Sequence, residues 1–174
     1  MADEWKKESP KLAVVVPCYN EEAVIGETLT ELLDVIKRLK SSSAIDEGSF
    51  IYCVDDGSRD RTWDCISDAH SGDATVKGLK LAANTGHQNA LLAGLLSVRD
   101  SVDCIISVDA DLQDDINSIV DMIEKFSEGY DIVYGVRKKR AADSVFKHYS
   151  AALFYKMMHA LGVKIIYNHA DFRL

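Results

Sequence analysis

Short β-branched runs alternate along this chain with segments of helical spacing, and most of the apolar runs end in a polar cluster. Residues 12–16, 50–54, 76–81, 104–108 and 131–136 read as strands, and residues 163–166 as a sixth. Between the first two, residues 21–39 carry Ile25, Leu29, Leu32, Leu33, Ile36 and Leu39 at helical spacing, with Asn20 placed to cap the start. Asp60 is placed to cap a helix through Trp63 and Ile66. Residues 87–98, the stretch from Ile116 to Phe126, and a longer stretch over about 144–161 complete the helices. Strands that alternate with helices predict an α/β domain, with a mostly parallel sheet covered by helices on both faces. Such sheets bind ligands beyond the carboxyl ends of their strands. The polar clusters 17–22, 55–62, 84–88 and 109–115 all fall there, so the topology predicts one composite site.

Bulk properties narrow the function. A chain of 174 residues, 47% hydrophobic and 28% charged, suffices for one domain with a sizeable core. Its net charge of −8 argues against a general nucleic-acid binder. No apolar run is long enough to span a bilayer, and the N-terminus lacks the apolar core of a signal peptide. Cys18, Cys53, Cys65 and Cys104 are scattered without a C-x-x-C pair, the pattern of reduced, mostly buried thiols in a cytosolic protein.

The most informative cluster is Asp109-Ala110-Asp111-Leu112-Gln113-Asp114-Asp115. Side chains alternate along a strand, so Asp109 and Asp111 are expected on one side of the strand end. Two carboxylates about 5 Å apart repel by roughly 3 kcal/mol at an effective dielectric near 20. A hard divalent cation between them removes that cost, and such ions bind one or two carboxylates together with substrate phosphates. An EF-hand loop beginning at Asp109 would need Gly and Glu where Asp114 and Val120 stand. After the second strand, Asp55-Asp56-Gly57-Ser58-Arg59-Asp60 combines a turn and a helix cap with a carboxylate, Asp56, that can face a base or a ribose. Dinucleotide G-x-G-x-x-G and phosphate-loop G-x-x-x-x-G-K-[ST] motifs are absent. The one basic block, Arg137-Lys138-Lys139-Arg140 with Lys147 and His148 beyond it, follows the fifth strand and suits phosphate. His87, at a helix start, reads either as a ligand donor or as a structural residue.

Six motifs occur in order: VVVPCYNEE at 14–22, VDDGSRDRT at 54–62, NTGHQNA at 84–90, DADLQDD at 109–115, YGVR at 134–137 and HADFRL at 169–174. Together they resemble the family 2 glycosyltransferases. The nearest branch is that of the polyprenyl-phosphate sugar transferases, similar to dolichyl-phosphate mannosyltransferase and bactoprenol glucosyltransferase, and the likeness runs from Lys11 to the end. The resemblance implies a GT-A fold that binds a UDP- or GDP-linked sugar, with UDP-glucose favoured, and a hexosyl transfer with inversion assisted by Mg²⁺ or Mn²⁺. It places Pro17, Tyr19, Glu21 and Asp56 in the nucleotide pocket. Asp109, Ala110 and Asp111 become the D-x-D segment, with Asp109, Asp111 and Gln113 about the metal. Arg137 is expected to hold the diphosphate or the acceptor phosphate, with Lys147 as another basic group there, and Asp171 to stand near the sugar and acceptor.

The resemblance also divides the chain into an N-terminal extension, 1–10, and a catalytic domain, 11–174, that stops short of the acceptor half and of the family's membrane helices. The expected setting is the cytoplasmic face of a membrane for a full-length protein, reached through that missing part, with a polyprenyl phosphate acceptor. A homo-oligomer stays open. Two other readings remain: transfer to a glycan hydroxyl in polysaccharide synthesis, and a non-catalytic nucleotide-sugar-binding module.

Overall fold

The computed structural model describes residues 9–111, 115–136 and 169–174. Ten elements follow in chain order: β1 (Leu12–Cys18), α1 (Ile25–Ser41), β2 (Phe50–Asp55), α2 (Thr62–Gly72), β3 (Val76–Lys80), α3 (His87–Val98), β4 (Cys104–Ser107), α4 (Ser118–Ser127), β5 (Tyr134–Val136) and β6 (His169–Arg173). The strands form one sheet in the order β3-β2-β1-β4-β6-β5. β1 lies between β2 and β4 and is parallel to both, and β2 is parallel to β3. The expected α/β fold with a mostly parallel sheet is therefore the observed one.

Alternation along β1 divides the core. Leu12, Val14, Val16 and Cys18 face one side, where buried residues of α1, α2 and α4 such as Leu32, Ile66 and Ile123 meet them. Ala13 and Val15 face the other side with Phe50 and Val54, against Ala90, Leu91 and Val98 of α3. All seven residues of β1 are buried, as expected of a parallel strand covered on both faces. Gly94 lets α3 come close to the sheet: a Cβ there would lie 2.6 Å from a methyl of Val15 and 2.8 Å from one of Val54.

Several boundaries differ from the sequence expectation. α1 begins at Ile25 rather than near Glu21, and Asn20 does not cap it. The backbone N–H groups of Asn20, Glu21 and Glu22 donate instead to Ser58, Thr62 and Asp60, so this stretch is held as a loop. α2 begins at Thr62, and Asp60 accepts from the Thr62 N–H and hydroxyl in a turn just ahead of it. β5 is shorter than residues 131–136. β6 arises in a segment read from sequence only as a functional motif, and it pairs antiparallel with both β4 and β5. Pairing to Ser107 and burial of Phe172 make it a strand, and local pattern does not reveal either contact. The helix expected over 144–161 and the strand over 163–166 lie outside the described residues.

The closeness of α3 to the sheet is testable. Gly94→Val should lower the free energy of unfolding by about 3 kcal/mol, because the branched side chain overpacks a site already in contact. Urea unfolding followed by circular dichroism measures it, and an unchanged midpoint would contradict the packing described.

Candidate active site

The carboxyl ends of the central strands enclose a cavity of about 420 Å³. Pro17, Cys18, Tyr19 and Glu21 line it from the end of β1, Asp56 from the end of β2, and Asp109, Ala110 and Asp111 from beyond β4. Asn84, His87 and Ala90 close it from the start of α3. A larger open groove of about 850 Å³, bordered by Glu31, Lys37, Arg38 and Asn117, contains none of the strand-end residues.

Pro17 helps to open the cavity. Val15 accepts from the Val108 N–H on the β4 side, whereas Cys18 accepts from the Asp56 N–H on the β2 side. By alternation Pro17 faces the β4 side, where it has no N–H to offer. The β1–β4 register ends at Val15 and Ser107, and beyond the Val108 N–H residues 109–111 leave the ladder. Thr28 of α1 anchors that segment: its buried hydroxyl donates to the Ala110 carbonyl at 2.6 Å.

The β1 and β2 ends are laced to each other. Besides the three contacts that displace the start of α1, Asn20 accepts from the Arg59 N–H at 2.9 Å and Glu22 from the Arg61 N–H at 2.9 Å. Asn20 adopts a positive φ of 56°, a conformation that Asn tolerates better than most residues. Gly57 also has a positive φ, 68°, and a Cβ there would lie 2.6 Å from the Ala83 backbone.

Asp56 joins the third loop. It is 2% exposed. One carboxylate oxygen accepts from the Thr85 N–H at 2.7 Å and the Thr85 hydroxyl at 2.9 Å, and the other accepts from the Gly86 N–H at 2.9 Å. Asp56 thus faces the cavity while fixing the loop from which α3 starts.

The cavity concentrates negative charge. Burial, and then the nearby carboxylates of Asp111, Asp60 and Asp109, raise the pKa of Glu21 above the ordinary glutamate value. This is the mutual repulsion that a divalent cation relieves. Among the described residues, no three His, Cys, Asp or Glu side chains gather closely enough to hold an ion by themselves. The thiols suit no such role. A hydrogen bond with Cys53, together with burial, holds the Cys18 thiol well above its usual pKa, and burial beside Asp103 pushes Cys104 up to about 12. All four cysteines are free, as the sequence implied.

Seven residues singled out from sequence, Pro17, Tyr19, Glu21, Asp56, Asp109, Ala110 and Asp111, line this one cavity. Gln113, Arg137 and Lys147 lie outside the described residues, and Asp171 is described only by its backbone position in β6. Sequence reasoning missed Thr28 and Thr85. The signal for Thr28 was a hydroxyl within the apolar stripe of α1; Thr85 had no signal beyond its cluster.

Comparison with known proteins fixes the family. Residues 13–174 match Glycosyl transferase family 2. The chain belongs to this family. Over 169 residues it is 53% identical to the uncharacterized glycosyltransferase YkoT of Bacillus subtilis (strain 168), covering 97% of this chain and 50% of that protein. It is 36% identical over 168 residues to the prophage bactoprenol glucosyl transferase homolog of Escherichia coli (strain K12), covering 94% and 51%. The chain thus spans about half the length of the curated relatives it matches. Among solved structures, it resembles the glucosyl-3-phosphoglycerate synthase of Mycobacterium tuberculosis in complex with Mn²⁺, UDP and phosphoglyceric acid. The TM-score is 0.61 at 21% identity, over 99% of this chain and 58% of that one. That likeness establishes the GT-A fold of this family 2 chain. Among its described residues, no helix is long and apolar enough to cross a membrane.

The joining role assigned to Asp56 predicts a stability effect. Asp56→Asn replaces one acceptor oxygen with an N–H donor facing N–H groups, and should cost about 2 kcal/mol. Thermal unfolding without ligand measures this, and a neutral result would remove Asp56 from that role.

Proposed function

We propose that the chain is the nucleotide-sugar-binding part of a metal-dependent, inverting hexosyltransferase that moves a sugar to a polyprenyl phosphate. UDP-glucose is the favoured donor and GDP-mannose the second candidate. The observation that carries this reading is the span of the cavity, from Asp56 at the end of β2, across Pro17 and Tyr19, to Asp109 and Asp111 beyond β4. A nucleotide laid across it puts its base at Asp56 and its diphosphate at the carboxylate-rich end, where a cation is needed.

Asp109 and Asp111, with Gln113 beyond them, would hold Mg²⁺ or Mn²⁺. When bound, the cation offsets negative charge on the departing diphosphate. The glucosyl-3-phosphoglycerate synthase offers a precedent on the same fold, since its structure holds UDP and Mn²⁺. Thr28 and the β1–β2 lacing fix the two ends of the cavity, so the donor meets a preorganised surface.

Similarity to the bactoprenol glucosyl transferase homolog supports glucose as the sugar and a lipid phosphate as the acceptor. In the reaction, an acceptor phosphate oxygen bonds to the anomeric carbon from the side opposite the diphosphate, and the bond to the diphosphate breaks. A phosphate monoester has a second pKa of about 6 and is already mostly dianionic at neutral pH. The acceptor therefore needs little deprotonation. Asp171 is assigned a positional role near the sugar and acceptor, and Arg137 and Lys147 the phosphate charges. The work of the whole protein is placed at the cytoplasmic face of a membrane.

Calorimetry with UDP and GDP, in Mn²⁺ and in chelator, tests the donor half. One nucleotide should bind in a metal-dependent manner, and Asp111→Asn should weaken that binding at least tenfold. Unchanged Mn²⁺-dependent affinity in the variant would remove the D-x-D assignment. Transfer to polyprenyl phosphate and not to soluble sugars tests the acceptor half, and the reverse preference would favour a glycan hydroxyl acceptor.

A further inference from the structure

α3 differs from the other helices in what it shows to solvent. From His87 to Val98 it contains no Asp, Glu, Lys or Arg, in a chain where 28% of the residues are charged. α1, α2 and α4 turn charged side chains outward, among them Glu31, Asp68 and Glu124. α3 turns out Leu92 and Leu96, each 51% exposed. Its inner side, with Leu91 and Val98, is already buried against the sheet. A helix that is apolar all round is one that is covered all round. Among the described residues α3 is the one helix on its face of the sheet, and its outer side meets solvent.

We infer that the outer face of α3 is the contact surface for a second copy of this chain. Charge favours that partner. Two copies with a net charge of −8 repel each other, and close approach is cheapest where charged side chains are missing. The stripe Asn89, Leu92 and Leu96 is such a place, and its spacing is that of a helix–helix seam. An anionic lipid surface would meet the same repulsion without being limited to this stripe. The stripe also matches itself, as a two-fold interface requires, because one patch serves both copies. With the two-fold axis running along α3, Leu92 and Leu96 each meet their own counterparts. Asn89 meets Asn89 of the second copy, and a carboxamide both donates and accepts. One of its amide hydrogens goes to the Thr85 carbonyl at 2.7 Å, which leaves the other for the pairing. At the far end Arg99 and Asp100, 3.5 Å apart and exposed, carry opposite charges that each copy offers to the other.

Size sets the strength of the contact. The 12 residues of α3 extend about 18 Å. A standard stable interface buries about 800 Å² per partner, more than one such helix offers, so the association is weak and reversible. Partly buried Leu95 on α3, with Leu81 and Ile105 on either flank, widens the apolar surface. The face is preformed, because Gly94 seats α3 against Val15 and Val54. The direction of the axis has a consequence for the cavities. α3 starts at the cavity, so a two-fold axis along it leaves both cavities open toward the same side of the dimer. That agrees with the proposed work at one membrane face, although the inference itself does not depend on the donor or the acceptor.

Sedimentation equilibrium of the chain over a range of concentrations tests this. A monomer–dimer equilibrium is expected, with half-association at roughly 10–100 µM. Added salt should tighten it by screening the repulsion between the copies. The double variant Leu92→Glu, Leu96→Glu should stay monomeric throughout and keep its circular dichroism spectrum, since both side chains are exposed. Leu92→Cys, in a Cys65→Ser background, should couple to itself through a short bis-maleimide, whereas Asp68→Cys on α2 in the same background should not. A chain that remains monomeric at about 500 µM would overturn the inference, as would a dimer that the two glutamates leave intact. Flotation of a monomeric chain with phosphatidylcholine vesicles, lost in the double variant, would assign the face to lipid and overturn it too.

Discussion

Three hydrogen bonds to the Asp56 carboxylate tie together parts of the molecule that the chain itself keeps apart. Asp56 directly follows β2, and its carboxylate oxygens fix Thr85 and Gly86, which lead into α3. The buried group is the Asp56 carboxylate, and leaving it without partners would cost about 1–3 kcal/mol or more, so it strongly favours this one arrangement of the loop. Gly57 permits the approach, since any side chain there would meet the Ala83 backbone. The consequence reaches beyond stability. With the 84–86 loop fixed, the start of α3 becomes a wall of the cavity, and His87 faces Asp109.

Against that fixed frame, the cavity carries an electrostatic cost. Glu21, Asp109 and Asp111 line one space, and the ionisation of Glu21 is disfavoured by burial and by its acidic neighbours. A purely structural strand end gains nothing from such crowding. A site that receives a cation together with a diphosphate does, because the charges of the filled site offset one another. The acidity of the cavity bears on a ligand, whereas the overall charge of −8 argues only against a general nucleic-acid binder.

Much of this was legible in the sequence, for identifiable reasons. β1, β2 and α3 have strong periods bounded by turn residues, and their expected spans agree with the observed ones to within two residues. Pro17, Asp56 and Asp109 could be gathered into one site because strand ends of a parallel sheet all point the same way. Asn20 was misread, because the same short polar side chain serves as a helix cap or as a partner for a distant loop, and only the proximity of Arg59 decides between them. β6 was missed because its strand character comes from Ser107 and Tyr134, both far away in the chain. Thr28 looked like a helix residue with an ordinary hydroxyl. Its importance depends on the Ala110 carbonyl, 82 residues distant.

The central claim is that one cavity binds a nucleotide at Asp56 and a metal ion at Asp111. Anomalous diffraction from crystals of this chain grown with Mn²⁺ and UDP tests it most directly. A manganese peak is expected beside the Asp111 carboxylate, coordinated by the diphosphate, with the base at Asp56. A fully occupied nucleotide elsewhere on the molecule, or manganese bound away from Asp109 and Asp111, would contradict it.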